Sequence, residues 1–163
     1  MSATMTLAPA LHGAISVRLA ALDQRYTPLR RALVETLATS PRPLSIPEIL
    51  AAVPELPQSS AYRNLTTLIE VGVVRRVATA NDHGRFELSE EFSGHHHHVV
   101  CSSCGKVEDI PPSRLLERAM EDVVRAVSEQ LGYEVTDHRV ELIGTCPQCS
   151  RVARQSSQAA RHS

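Results

Sequence analysis

Apolar side chains recur at helical spacing through most of the first half of the chain. Residues 11–23 read as a first helix. Thr27 caps a second, with Pro28 in its first turn and Leu29, Leu33 and Leu37 repeating every four positions. Ser45-Ile46-Pro47-Glu48 has the spacing of a capping box and opens a short third helix through Ile49, Leu50 and Val53. Pro54 and Pro57 interrupt the pattern, and Ser59 or Ser60 then caps a fourth helix that Gly72 ends. In that helix Ala61, Leu65, Leu68 and Ile69 share a core-facing side, while Tyr62, Arg63, Thr66 and Thr67 lie opposite. The period next shortens to that of strands at residues 73–77 and 85–88, around the turn-forming Asn81-Asp82-His83-Gly84.

The second half follows a different rhythm. Residues 89–94 read as a hinge, and the run from His95 to Cys101 reads as a strand. Pro111 and Pro112 introduce a long helix with Leu115, Leu116, Ala119, Met120, Val123, Val124 and Val127 on a broad apolar face, closed by Gly132. Residues 133–143 return as a strand. Strand, crossover helix and strand make a small α/β unit, too poor in core to stand comfortably alone, which predicts a dimer interface and a metal staple. The expected organisation is therefore α+β. Residues 11–88 form a winged helix-turn-helix and residues 95–150 a metal-binding dimerisation unit, with mobile ends at 1–10 and 151–163.

Composition narrows the partners. Aromatics are 3% of the 163 residues and Trp is absent, so the core is aliphatic and stacking on single-stranded bases is excluded as a main activity. The net charge of −1 argues against nucleic acid only until the chain is divided. Residues 1–85 hold nine Arg against six acids, while residues 86–163 hold eight Lys or Arg against twelve acids. The basic half is the one with the hairpin, and Arg75, Arg76 and Arg85 within it are expected to contact phosphate. The fourth helix is then the recognition helix, offering Ser60, Tyr62, Arg63 and Thr66 to the major groove of duplex DNA. No secretory signal or membrane-length apolar run is visible, so the expected location is the cytoplasm, where a membrane partner is not anticipated.

The acidic half carries the metal chemistry. Cys101, Cys104, Cys146 and Cys149 form two CxxC pairs, each able to chelate one side of a tetrahedral ion. In a reducing compartment such pairs favour zinc over disulfides, and four thiolates leave no open position for catalysis. Four consecutive histidines follow the strand alternation, so His95 and His97 point one way and His96 and His98 the other. One segment can thus serve two sites. Glu87 is placed to join His96 and His98, and His138 with Glu117 to join His95 and His97. Both sets are nitrogen and oxygen donors, suited to Fe(II), Mn(II), Ni(II), Co(II) or Zn(II).

These residues resemble the ferric uptake regulator family of metal-dependent repressors. The resemblance runs from Tyr26 to Cys149 and is carried by Tyr26-Thr27-Pro28-Leu29-Arg30, Ser60-Ala61-Tyr62-Arg63-Asn64-Leu65, the run from His95 through the first CxxC to Asp109, Thr136-Asp137-His138-Arg139, and Cys146-Pro147-Gln148-Cys149. It implies a homodimer on an A·T-rich palindromic operator, with Tyr62 and Arg63 in the major groove and Arg25 near the minor groove. It also implies a regulatory site at Glu87, His96 and His98, a second site at His95, His97 and His138, and structural zinc on the four cysteines. Asp109 matches an acid that the peroxide-sensing branch uses in its regulatory site. The chain departs from the family at Pro43, where a regulatory histidine often stands, which leaves His83, His12 or water to complete the shell. Glu117 is one position from the family spacing, and Ser89 replaces the cysteine of the zinc-sensing branch.

The resulting expectation is a repressor with Fe(II) as first co-repressor, ahead of zinc, manganese and nickel, and with peroxide sensing as a further branch. No small organic substrate is expected. A metal-dependent enzyme is the rival from another class, but the chain has no HExxH, nucleophile elbow or evident acid–base pair. A metal carrier is the third reading, and it would have no use for a winged helix.

Overall fold

The computed structural model describes residues 9–77 and 84–159. Helices α1 (Pro9–Ala20), α2 (Pro28–Thr39), α3 (Ile46–Ala52) and α4 (Gln58–Glu70) surround an aliphatic core in which Ile15, Leu19, Leu33, Ile49, Leu65 and Leu68 are fully buried. The predicted caps form. The Arg30 amide donates to Thr27 Oγ1 at 3.4 Å, and the Ser45 amide donates to Glu48 Oε2 at 2.7 Å. Two details differ from the sequence reading. α4 starts at Gln58, with Pro57 rather than a serine at its cap, and Ile69 stays partly exposed at the edge of the apolar side.

A three-stranded antiparallel sheet closes this unit in the order β1 (Leu44–Ser45), β3 (Arg85–Leu88), β2 (Val74–Val77). The two-residue β1 has no periodicity to reveal it. The turn expected around residues 81–83, and with it His83 as a candidate ligand, lies outside the described residues. In the β2–β3 register Arg75 stands opposite Glu87.

The segment read as a plain hinge contains one helical turn, α5 (Glu90–Ser93), which ends at Gly94 with φ of +84°. Beyond it, β4 (His97–Cys101) is central in a second sheet, antiparallel to β5 (Val107–Ile110) and parallel to β6 (Glu141–Gly144). The predicted crossover is α6 (Arg114–Leu131), closed by Gly132 in the left-handed conformation. Both flanking strands are shorter than read from sequence: β4 starts two residues after His95, and β6 begins only at Glu141 and runs to Gly144. The tail, expected to be irregular, continues from the second CxxC as α7 (Pro147–Ala159), with Pro147 able to occupy a first helical turn without loss of a hydrogen bond. No residue of α6 is buried in the single chain, and Leu115, Val123, Leu142 and Ile143 are all more than half exposed. Exposed aliphatic side chains of this kind are candidates for a partner interface.

Candidate metal centres and nucleic-acid interface

Among the described residues three groups of ligand side chains converge, and within each the donor atoms lie within 4.8 Å of one another. The first is Cys101 at the end of β4, Cys104 in the turn after it, Cys146 before α7 and Cys149 in its first turn. Cys104 Sγ and Cys146 Sγ are 3.9 Å apart, near the edge of about 3.8 Å for a tetrahedron with zinc–sulfur bonds of about 2.3 Å, and far beyond a disulfide bond. The Cys146 amide donates to Cys101 Sγ at 3.3 Å, and that amide, with the Cys104 amide, pulls the Cys101 thiol down to about 6. Cys149, hydrogen-bonded by the Cys146 and Cys104 sulfurs, is pushed up to about 12. Four sulfurs at this separation become thiolates together only around a cation, so the donor set fits zinc.

The second group, Glu87, His96, His98 and Asp109, lies between the two units. Glu87 reaches from β3, His98 stands on β4, and Asp109 is opposite His98 in the β4–β5 register. Glu87 Oε2 lies 3.1 Å from His98 Nε2 and 3.2 Å from His96 Nε2; Asp109 Oδ1 is 3.7 Å from His98 Nε2. Bonds of 2.0–2.1 Å in a tetrahedron would separate donors by about 3.3–3.4 Å. His96 Nδ1 is 2.9 Å from the Gly94 carbonyl, which only accepts, so the ring proton is on Nδ1. In neutral His96 the Nε2 lone pair then faces a carboxylate oxygen, an arrangement that a cation between them satisfies. Burial works against charge on Glu87, yet the hydrogen bond and charge of His98, then the charge of Arg75, outweigh it and hold the carboxyl below its ordinary range. Asp109 moves the other way, raised chiefly by burial.

The third group is His95, His97, Glu117 and His138, gathered from the start of the second unit, the first turn of α6 and the loop before β6. His97 Nε2 is 2.7 Å from Glu117 Oε1, and His95 Nε2 and His138 Nε2 are both 3.2 Å from Glu117 Oε2. His95 Nδ1 meets the Glu90 carboxylate at 2.6 Å and so carries the proton. That leaves Nε2 as a lone pair aimed at Glu117. Buried His95 Nε2 and His138 Nε2 make no hydrogen bond of proper geometry. The hydrogen bond to His97, outweighing burial, keeps Glu117 ionised below its ordinary range. This donor set also fits a divalent cation.

The histidine alternation expected from sequence is therefore present, and each expected carboxylate stands with its predicted pair. Asp109 joins the second group because β5 places it across from His98, a pairing that no local pattern announces. His12 does not join it. It lies in the first unit, 2.8 Å from Tyr26 Oη and 3.5 Å from Glu35, with burial pushing the Tyr26 hydroxyl up to about 12. Pro43 is buried, with its carbonyl accepting from Arg85 at 3.2 Å.

On α4, Tyr62, Arg63 and Thr66 project to solvent, beside a concavity of about 570 Å³ that also involves Arg30, Asn64 and Thr67. Ser60 is half-buried in the first turn, 3.4 Å from Arg63, and Arg25 is exposed before α2, its carbonyl held by Arg30 at 2.7 Å. Arg75 and Arg85 correct the sequence reading, because both turn inward. Arg85 binds Glu48 at 2.7 Å and the Gly105 carbonyl at 2.9 Å, and Arg75 is committed to Glu87 and Glu90. Each guanidinium fork is itself largely buried and is compensated by the carboxylates beside it, Glu87 and Glu90 for Arg75 and Glu48 for Arg85.

Residues 21–143 match the family model described as the Ferric uptake regulator family. The peroxide-responsive repressor PerR of Staphylococcus aureus is 30% identical over 129 residues, spanning 77% of this chain and 82% of that protein. Among solved structures, the Helicobacter pylori ferric uptake regulator Fur superposes with a TM-score of 0.73 at 22% identity, over 92% of this chain and 97% of that one. The Pseudomonas aeruginosa ferric uptake regulator with manganese gives 0.63 at 25% identity, over 80% and 96%.

Proposed function

This chain belongs to the Ferric uptake regulator family, and from that premise we propose that it is a dimeric, cytoplasmic transcriptional repressor whose grip on duplex DNA is set by a divalent metal held by Glu87, His96, His98 and Asp109. The observation that carries the proposal is the position of Glu87 on β3 of the DNA-reading unit, 3.1 Å from His98 on β4 of the other. A bound cation supplies positive charge shared between ligands of both units. Glu87 on one side and His96, His98 and Asp109 on the other then hold one relative orientation, which in a two-fold dimer fixes the spacing of the two α4 helices. Preferential metal binding to that orientation raises DNA affinity, and DNA tightens metal binding by the same factor.

In this reading Tyr62, Arg63 and Thr66 read the major groove of an A·T-rich palindrome, with Ser60 and Arg25 on the backbone and minor groove. Structural zinc sits on the four cysteines, and His95, His97, Glu117 and His138 form a second divalent site. The exposed aliphatic face of α6 and β6 supplies the dimer contact. Nitrogen and oxygen donors without thiolate suit Fe(II), Mn(II), Zn(II) and Ni(II) alike, and membership of the Ferric uptake regulator family makes Fe(II) the first ion to test. Gel shifts of the zinc-loaded protein with each ion, Fe(II) under anaerobic conditions, test this. Tighter operator binding with Fe(II) is expected, and no ion-dependent change would overturn it. Saturable, sequence-specific DNA binding also separates this reading from an enzyme or a carrier.

Peroxide sensing is the second reading. It is supported by the Asp109 carboxylate beside His98 and by the likeness to the Staphylococcus aureus peroxide-responsive repressor. Under it, peroxide releases DNA from the Fe(II)-loaded protein and not from the Mn(II)-loaded one.

A further inference from the structure

Arg75 and Glu90 contribute to neither set of converging ligands, yet they stand between them. Arg75 is opposite Glu87 in the β2–β3 register, with its side chain 13% exposed. Its Nε donates to Glu87 Oε1, its Nη1 donates to Glu90 Oε1 at 2.6 Å, and its Nη2 is 3.4 Å from His96 Nε2. Glu90, on the single turn of α5, uses its other oxygen to accept from His95 Nδ1 at 2.6 Å. The division of oxygens is the informative part. Arg75 takes Oε1 of Glu87 and leaves Oε2 facing His96 and His98. Glu90 accepts the hydrogen bond from His95 Nδ1 and leaves Nε2 facing Glu117, 3.2 Å away. A continuous polar path therefore runs from His98 through Glu87, Arg75 and Glu90 to His95, whose Nε2 faces Glu117.

We infer that Arg75 and Glu90 are a positioning pair that couples the two histidine clusters, so that a divalent cation in one raises the affinity of the other. The inference rests on the reading of both clusters as metal sites. A cation on His95 Nε2 requires the proton on Nδ1, and a metal-bound imidazole donates that proton more strongly to Glu90. Glu90 so held keeps its second oxygen on Arg75, and the planar fork of Arg75 keeps Glu87 in the rotamer that points Oε2 at His96 and His98. The second cation thus meets a carboxylate already ordered by the first, and by reciprocity the effect is equal in both directions. A lysine at position 75 would keep the charge and lose the fork that spans two carboxylates.

Co(II) titration of the full, zinc-loaded chain, followed by visible absorption, tests the coupling. Bands absent in His98→Ala identify the Glu87 cluster. The His138→Ala variant disables the other cluster from a loop, where folding is least at stake, and Glu90→Gln or Arg75→Lys breaks the path. Otherwise wild-type protein should bind Co(II) at the Glu87 cluster about tenfold tighter than His138→Ala, within the usual range of such couplings. That ratio should fall to near one when either path variant is present in both partners of the comparison, and Glu90→Asp should restore part of it. A merely structural role would shift all affinities together and leave the ratio intact, which would overturn the coupling. Equal affinities in wild type and His138→Ala, with both clusters filling in wild type, would overturn it as well. Absence of Co(II) binding outside the cysteine site would overturn the metal reading and this inference together.

Discussion

Glu87 Oε2 stands 3.1 Å from His98 Nε2, and this contact joins the hairpin of the first unit to the central strand of the second. Both side chains are nearly buried, at 8% and 6% exposure, so the carboxylate depends on its neighbours for its charge. Glu87→Gln keeps the shape and removes that charge. Its affinity for Fe(II) or Mn(II) should fall at least about tenfold, with the cysteine-bound zinc retained, as read by calorimetry and metal analysis. Glu87→Ala should in addition lower the melting temperature of the metal-free protein. Arg75 then loses one of its two carboxylate partners, at a cost of about 1–3 kcal/mol because Glu90 remains.

The cysteine group makes a separable prediction. Cys104→Ser should release the zinc, and amide hydrogens in 97–144 should then exchange faster while those of the helical core around Leu33, Ile49 and Leu65 keep their protection. The second unit has only a small aliphatic core of Val100 and Val107, with Val77 of β2, so the staple carries much of its stability.

For DNA, Arg63→Ala should weaken operator binding at every salt concentration and reduce the slope of log affinity against log salt by about 1 if it meets one phosphate. Tyr62→Ala should weaken binding by about 1–3 kcal/mol and leave the slope unchanged. Neither variant should alter metal content, because α4 contributes to none of the three ligand groups.

Glu48 sets an acid limb. Burial opposes its charge, but hydrogen bonds from Arg42 and Ser45 and the charge of Arg85 hold its carboxyl at about 2. Its folded value is below the unfolded value of about 4.3, so its contribution is complete above that value and is lost as pH falls toward about 2. Glu48→Gln should destabilise the metal-free protein by about 1–2 kcal/mol at pH 7 in urea titrations. The gap to wild type should narrow steadily between about pH 5 and 2.

How much of this was legible in the sequence depends on whether the signal was local. The caps at Thr27 and Ser45, the apolar side of α4 and the alternation of His95 to His98 all depend on neighbours a few residues apart, and each appears as read. The partner of each histidine pair, Glu87 or Glu117, was accessible because few acids suited each face. Asp109 and Arg75 could be placed only by cross-strand register, Asp109 against His98 and Arg75 against Glu87, and register is a long-range property. The same reason explains why Arg75 and Arg85 were read as phosphate contacts. Composition gave their charge, while only the fold shows the carboxylates that claim it. Glu90 was hidden in a hinge whose single helical turn has too few residues to show a period.

The central claim is that a cation shared by Glu87 and the histidines of the second unit sets DNA affinity. Operator affinity of the zinc-loaded chain, measured by fluorescence anisotropy with and without Mn(II) in wild type and His98→Ala, tests it most directly. Wild type should bind at least about tenfold tighter with Mn(II), a change of about 1.4 kcal/mol, while His98→Ala should match metal-free wild type under both conditions. Equal wild-type affinity with and without Mn(II), or a His98→Ala protein that responds as wild type does, would contradict the account.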